Sequence, residues 1–279
     1  MGSAAVPADG SDAVDGLLAA AAARLDAPEA VQPAPGPLRV GVDLGTANCV
    51  LVVINADDQP VWVDSHPSGA LRDGVVVDFA RATSTVALLK DRAEQAIGSG
   101  LRTAATAYPP CIPVEDARAC TYVCEAAGFS DVALVDEVTA AQRTLDISEG
   151  VVVDVGGGST GVGVFRGGRL VELDDRAGGG HHLDLVLAGA LGIPLEEAEI
   201  HKRAHPIASL PVLVPGLQRI AESVRAMTRG DEDLPLHLAG GALMLAGAGD
   251  VLAGYLERTV VTYPHALLIT PIGIARSAP

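Results

Sequence analysis

Two stretches of the chain share one alternation of apolar and turn-forming positions. Val40 to Ile54 (VGVDLGTANCVLVVI) reads as an apolar strand, a turn around Gly45 and a second apolar strand. Val151 to Phe165 (VVVDVGGGSTGVGVF) repeats the design, with its turn at Gly156-Gly157-Gly158. When Asp43 is aligned with Asp154, the register holds: Gly45 falls on Gly156, Asn48 on Ser159, Cys49 on Thr160 and Val53 on Val164. The offset of 111 residues is about the size of one domain, which predicts a duplicated α/β unit.

Elsewhere the apolar spacing changes to that of helices. Thr83 to Gly98 places Val86, Leu89, Ala93 and Ile97 on one side. Thr106 to Ile112 reads as a strand stopped by prolines. Glu115 to Gly128 reads as a helix ended by glycine, and Asp131 to Val135 as a short strand. Helices are expected at Glu137 to Leu145, His182 to Leu191, Leu195 to Ala204, Pro215 to Thr228, Gly249 to Arg258 and Ile272 to Arg276, with a strand at Leu236 to Leu238. Ahead of all these, Asp12 to Leu25 carries Val14, Leu17, Leu18, Ala21, Ala22 and Leu25 at helical spacing. Ala27 to Pro37 (APEAVQPAPGP) reads as an extended spacer. Residues 1–37 are therefore expected to be a tail, either disordered or carrying a docking helix.

Composition narrows the reading. The 279 residues suffice for two packed α/β lobes. Apolar residues make up 49% and aromatics only 3%, so the core must be aliphatic. A net charge of −16 argues against nucleic acid as a partner. No apolar run reaches the roughly 18–20 residues of a membrane span, and no secretion signal opens the chain, so a cytoplasmic protein is expected. Cys49, Cys111, Cys120 and Cys124 read as buried free thiols; the alternative is half of a metal site at the i, i+4 pair Cys120 and Cys124.

The chemistry is carried by the two hairpin turns. Asp43-Leu44-Gly45-Thr46 ends a strand with a carboxylate, then offers backbone N–H groups and a hydroxyl. Asp154-Val155-Gly156-Gly157-Gly158-Ser159-Thr160 repeats this with three glycines. Such hairpins can wrap the β- and γ-phosphates of a nucleotide, while Asp43 and Asp154 hold Mg2+ through water.

These residues resemble the phosphate motifs of the actin, heat-shock-chaperone and sugar-kinase superfamily. Val135 to Ala141 (VDEVTAA) is similar to its connecting-helix motif, Leu238 to Gly241 to its adenosine motif, and Pro271 to Ala275 to its second connecting helix. The stretches EAAGF, GGGHHLDLVLAGA, LEEAEIHKR, LAGGALML and LLITPIGIA most resemble the ethanolamine-utilisation protein J family, chaperone-like members associated with bacterial microcompartments. The resemblance implies two ribonuclease-H-like lobes, as in actin-like ATPases, with a nucleotide cleft between them: lobe I of residues 38–145 and 265–279, lobe II of residues 146–264. It implies ATP or ADP with Mg2+ as cofactors. Asp43 and Asp154 would organise the metal, and Gly45, Thr46, Gly156, Gly157, Gly158, Ser159 and Thr160 would hold phosphate. Glu137 would position the attacking water. Glu199, Lys202, Arg203, Gly240 and Gly241 would flank the adenosine. It further implies a weak ATPase acting on a client protein, among microcompartment enzymes or shell.

Three departures favour binding over hydrolysis. Val138 stands where the motif has proline, loosening the helix start. Ala242-Leu243 follow Gly-Gly where small polar residues often sit. No clear match exists for the catalytic lysine of the large chaperones, Lys90 being the nearest guess. A non-hydrolysing scaffold is therefore the alternative, with a small-molecule kinase and an actin-like filament former as further rivals. Simpler readings apply to other tempting residues: His181-His182 as a structural turn, Trp62 and Tyr108 as packing, Glu196-Glu197 as a solvated helix start and Asp57-Asp58 as a hairpin turn.

Overall fold

The structure, a computed structural model, describes residues 6–7, 12–29, 31, 36–72, 74–110 and 112–279. Cys111 and residues 30 and 32–35 of the proline-rich spacer lie outside the described residues. The chain divides into two compact units, Gly10–Asp146 with Leu268–Pro279, and Met1–Asp9 with Ile147–Leu267.

After β1 (Val6–Pro7), helix α1 (Asp12–Asp26) packs on a strand of the first unit. There β2 (Arg39–Leu44) and β3 (Asn48–Ile54) form the first hairpin, and β4 (Pro60–Pro67) pairs antiparallel with β3. The short pair β5 (Leu71–Arg72) and β6 (Val75–Val76) leads into α2 (Phe79–Ile97). Asp78 caps α2 by accepting from the Arg81 N–H, and Gly98, at φ 77°, ends it. Then follow β7 (Thr103–Tyr108), α3 (Val114–Ala126), β8 (Asp131–Asp136) and α4 (Glu137–Leu145). The sheet order is β4-β3-β2-β7-β8, with β2, β7 and β8 parallel. Its core is aliphatic, with Trp62 buried among Val42, Leu51, Val86 and Leu89. Helix α1 sits on β4 and buries Leu17, Leu18, Ala21 and Ala22. Its apolar stripe is thus spent on its own unit, where the sequence suggested a tail standing apart.

The second unit opens with a meander of β9 (Gly150–Val155), β10 (Ser159–Arg166) and β11 (Arg169–Ala177). Gly167 and Gly168, at φ 58° and 71°, make the turn between β10 and β11. Strand β11 was not foreseen, because RLVELDDRA is exposed along almost its whole length and lacks an alternating apolar face. Helices α5 (Gly180–Leu191), α6 (Leu195–Ala204) and α7 (Pro206–Met227) follow, then β12 (Leu236–Ala239), α8 (Ala248–Leu256) and β13 (Val260–Thr262). The sheet order is β1-β13-β12-β9-β10-β11. Helix α7 begins well before the expected Pro215. Pro206 occupies its first turn, and Pro211 and Pro215 lie inside it. An internal proline costs a helix one hydrogen bond; here buried Ser209, Leu213 and Leu217 anchor the early turns against the core. At the other end Arg258 reaches under α7, donating to the Thr228 hydroxyl at 2.7 Å and to the Asp231 and Leu234 carbonyls at 2.8 Å.

The chain then re-enters the first unit with α9 (Ile269–Ala275), which packs on α4 and β2. Small residues permit the approach: a Cβ at Gly273 would lie 1.7 Å from the Ala140 carbonyl oxygen, and one at Gly41 2.6 Å from that of Pro271.

Candidate functional site

The two hairpins close on equivalent pairs. In the first, Asp43 lies opposite Val50 and Leu44 opposite Cys49. In the second, Asp154 lies opposite Gly161 and Val155 opposite Thr160. Asp43 and Asp154, Gly45 and Gly156, and Cys49 and Thr160 therefore hold matching places in their own units. The first turn is tight: a Cβ at Gly45 would fall 2.6 Å from the Asn48 carbonyl oxygen. The Ser68 N–H braces it by donating to Ala47 O at 3.0 Å.

The second turn is held more elaborately. The Gly156 N–H donates to Ser159 O at 3.1 Å. At the start of α5, the N–H groups of Gly180 and His181 donate to the Gly156 and Gly157 carbonyls at 2.9 and 2.8 Å, and the Gly178 N–H donates to Gly158 O at 2.9 Å. Three successive carbonyls thus turn toward one segment. In a trans peptide the following N–H points the opposite way, and no described peptide is cis. The amides of Gly157, Gly158 and Ser159 consequently turn away from α5, as a run of donors suited to an anion. Thr160 has a different part from the phosphate donor expected: its hydroxyl donates to Gly178 O at 2.6 Å, so its single hydrogen is used in bracing the loop.

The Gly240-Gly241 turn lies against this hairpin. Gly240 adopts φ 84°, and a Cβ there would sit 2.3 Å from Val155 O and 2.5 Å from Asp154 Oδ1. The Ala242 N–H donates to Val155 O at 3.3 Å. The fold thus brings Gly240 and Gly241 together with buried Asp154 and residues 156–160.

The three α6 candidates separate. Lys202 donates to Asp184 Oδ1 on α5 at 2.6 Å, both side chains being nearly buried. Burial raises the Asp184 carboxyl above the ordinary carboxylate range, against the opposing pull of Lys202. Glu199 and Arg203 pair with each other one turn apart on the more exposed side. Sequence reasoning missed Asp184, although an acidic residue on the inward face of an apolar helix was a readable signal.

In the other unit Asp136 caps α4, accepting from the Thr139 N–H at 2.7 Å, and Glu137 opens the helix. Val138 is fully buried. The helix start is therefore capped and packed despite the missing proline, and the loosening expected there does not occur. Asp43 and Glu137 both bear on Cys120, whose thiol is pushed up to about 12, chiefly by burial, then by Glu137 and Asp43. Burial, with Asp43 beside it, also raises the Cys49 thiol. Such thiols stay protonated and inert. Lys90, the guessed catalytic lysine, pairs with Glu94 at 2.7 Å and sits over the Phe129 ring. Among the described residues no group of three or more His, Cys, Asp or Glu side chains forms a metal centre, and no helix is long and apolar enough to cross a membrane. Trp62 is core; His181 and His182 are exposed at the start of α5.

Comparison with known proteins supplies the family context. The family model for MreB/Mbl protein matches residues 66–188. The ethanolamine utilization protein EutJ of Escherichia coli (strain K12) is 38% identical over 242 residues, 86% of each chain. Among solved structures, EutJ from Carboxydothermus hydrogenoformans is 38% identical, with a TM-score of 0.91 over 96% of this chain and 99% of that one. MreB 5 of Spiroplasma citri, solved bound to AMPPNP, shares the fold at 16% identity, with a TM-score of 0.68 over 85% and 94%.

Proposed function

The chain belongs to the family of the ethanolamine utilization protein EutJ, within the actin-like ATPase superfamily, and we propose that it binds ATP and acts, chaperone-like, on proteins of a bacterial microcompartment. The observation that carries this reading is the turn that follows Asp154, where the amides of Gly157, Gly158 and Ser159 are turned away from α5. A row of fixed backbone donors beside a carboxylate suits a phosphate chain accompanied by a cation. The close packing of Gly240 on Asp154 gives the same surface a second, side-chain-free wall.

In this reading the amides of Gly157, Gly158 and Ser159 and the Ser159 hydroxyl hold phosphate oxygens. Thr160 fixes the loop. In the first unit Gly45 and Thr46 form the phosphate motif and Asp43 orients waters of Mg2+; in the second unit Asp154 does the same, and the ion supplies charge neutralisation when bound. Glu137 holds a water for attack, and Gly240 and Gly241 admit the ribose. Glu199 and Arg203 are the α6 groups left to meet a base, since Lys202 is tied to Asp184.

Calorimetry with ATP, ADP and Mg2+ on the wild type and Asp154→Ala tests the site. Binding at least tenfold weaker in the variant is expected, equivalent to about 1.4 kcal/mol or more; equal affinities refute the assignment. Phosphate release from Mg-ATP by the purified protein separates a slow ATPase from the non-hydrolysing scaffold. The capping and burial at the start of α4, which keep Glu137 in place, favour the ATPase.

A further inference from the structure

We propose that His201 and His205 form a bidentate site for a borderline divalent transition-metal ion, of the class of Ni2+, Zn2+ or Cu2+, where α6 meets α7. The two imidazoles lie one helical turn apart, with ring centroids separated by 4.8 Å and planes inclined at 51°. A metal bound to an imidazole nitrogen at ~2.0–2.1 Å stands about 3.2 Å from that ring's centroid. Ligand angles between square-planar and tetrahedral then put the two centroids roughly 4.5–5.2 Å apart. The observed spacing falls inside that window. By contrast, the neighbouring rings of His181 and His182 are 6.2 Å apart, outside it.

The backbone holds the pair in place. The His205 N–H donates to His201 O at 2.8 Å, so the last turn of α6 is intact as far as His205, which also precedes Pro206 at the start of α7. Neither ring is enclosed, so water can complete the coordination. The carbonyl end of α6 and the N-terminus of α7 meet at His205, so the two helix dipoles offset each other there. Lys202 and Arg203, the nearby cations on α6, are paired with Asp184 and Glu199. Imidazole nitrogens select borderline transition metals over Mg2+ and Ca2+, which prefer oxygen. The site is therefore separate in chemistry from the Mg2+ proposed beside the phosphates.

The experiment is titration of the full-length protein with Ni2+, followed by calorimetry, and repeated on His201→Ala, His205→Ala and the double variant His181→Ala/His182→Ala. One equivalent is expected to bind the wild type and the His181/His182 variant alike. Affinity should fall tenfold or more in either His201→Ala or His205→Ala, and excess Mg2+ should not compete. Circular dichroism of the metal-free variants checks that they remain folded, as expected for unenclosed side chains. If Ni2+ does not bind the wild type, binds equally after loss of either His201 or His205, or is lost only with His181 and His182, the proposal is overturned.

Discussion

Gly240 shows how a single missing side chain shapes the candidate site. Its φ of 84° and the nearness of Val155 O and Asp154 Oδ1 leave no room for a Cβ. Gly240→Ala should lower stability by roughly 1–3 kcal/mol in urea unfolding, from backbone strain together with displacement of Asp154. Gly168→Ala, also at positive φ but with open space around it, should lose only the backbone component, about 1 kcal/mol. His237 provides a pH signature. Burial lowers its pKa to about 4, and its Nδ1 lies 2.7 Å from the Tyr263 hydroxyl. The folded state therefore takes up the proton less readily than the unfolded chain. Stability is complete above the ordinary imidazole value near 6.5 and declines as pH falls from there toward 4, by up to about 3 kcal/mol. Thermal melts across that range should show a smaller acid loss in His237→Gln. At this scale the sequence revealed the matched aspartates and glycines, because a turn between apolar strands constrains its own residues. It did not reveal the bonds from Thr160 to Gly178 or from Lys202 to Asp184, since both depend on which distant segments the fold brings together.

Elements were readable where their own periodicity dictated them. The hairpins of β2–β3 and β9–β10 and helices α3 to α6 fall close to where apolar spacing places them, whereas α2 opens at Phe79, four residues before the expected Thr83, behind the Asp78 cap. The start of α7 was hidden, because Pro211 and Pro215 argue locally against a helix that burial of Leu213 and Leu217 then enforces. Its end depends on Arg258, whose guanidinium joins a hydroxyl and two carbonyls. Arg258→Met should cost about 2–4 kcal/mol in chemical denaturation, by stranding those acceptors, and Arg258→Lys should recover only part of it, since an ammonium lacks the fork. The crossing of α4 and α9 is the least tolerant place described. Gly273→Ala would press a methyl into Ala140 O and should destabilise by 3 kcal/mol or about that, with lower yield of folded protein.

At the scale of the molecule, two α/β units were legible from the internal repeat and the length, whereas the place of the N-terminal helix was not. Its stripe of Leu17, Leu18, Ala21 and Ala22 was visible, but no local rule says which surface a stripe will cover. Because α1 covers β4, removing residues 1–37 should lower the urea midpoint, with a loss of roughly 3–6 kcal/mol from the two leucines alone. Nucleotide affinity of the protein that remains folded should be unchanged, since none of the proposed ligand groups lies in that segment.

The Gly167-Gly168 turn has a practical corollary. Each glycine has open space around it, and the turn lies at the opposite end of β10 from Ser159, roughly 24 Å away along an extended strand. A short epitope or dye-binding peptide spliced there would give an imaging and immunoprecipitation handle that leaves the phosphate loop undisturbed.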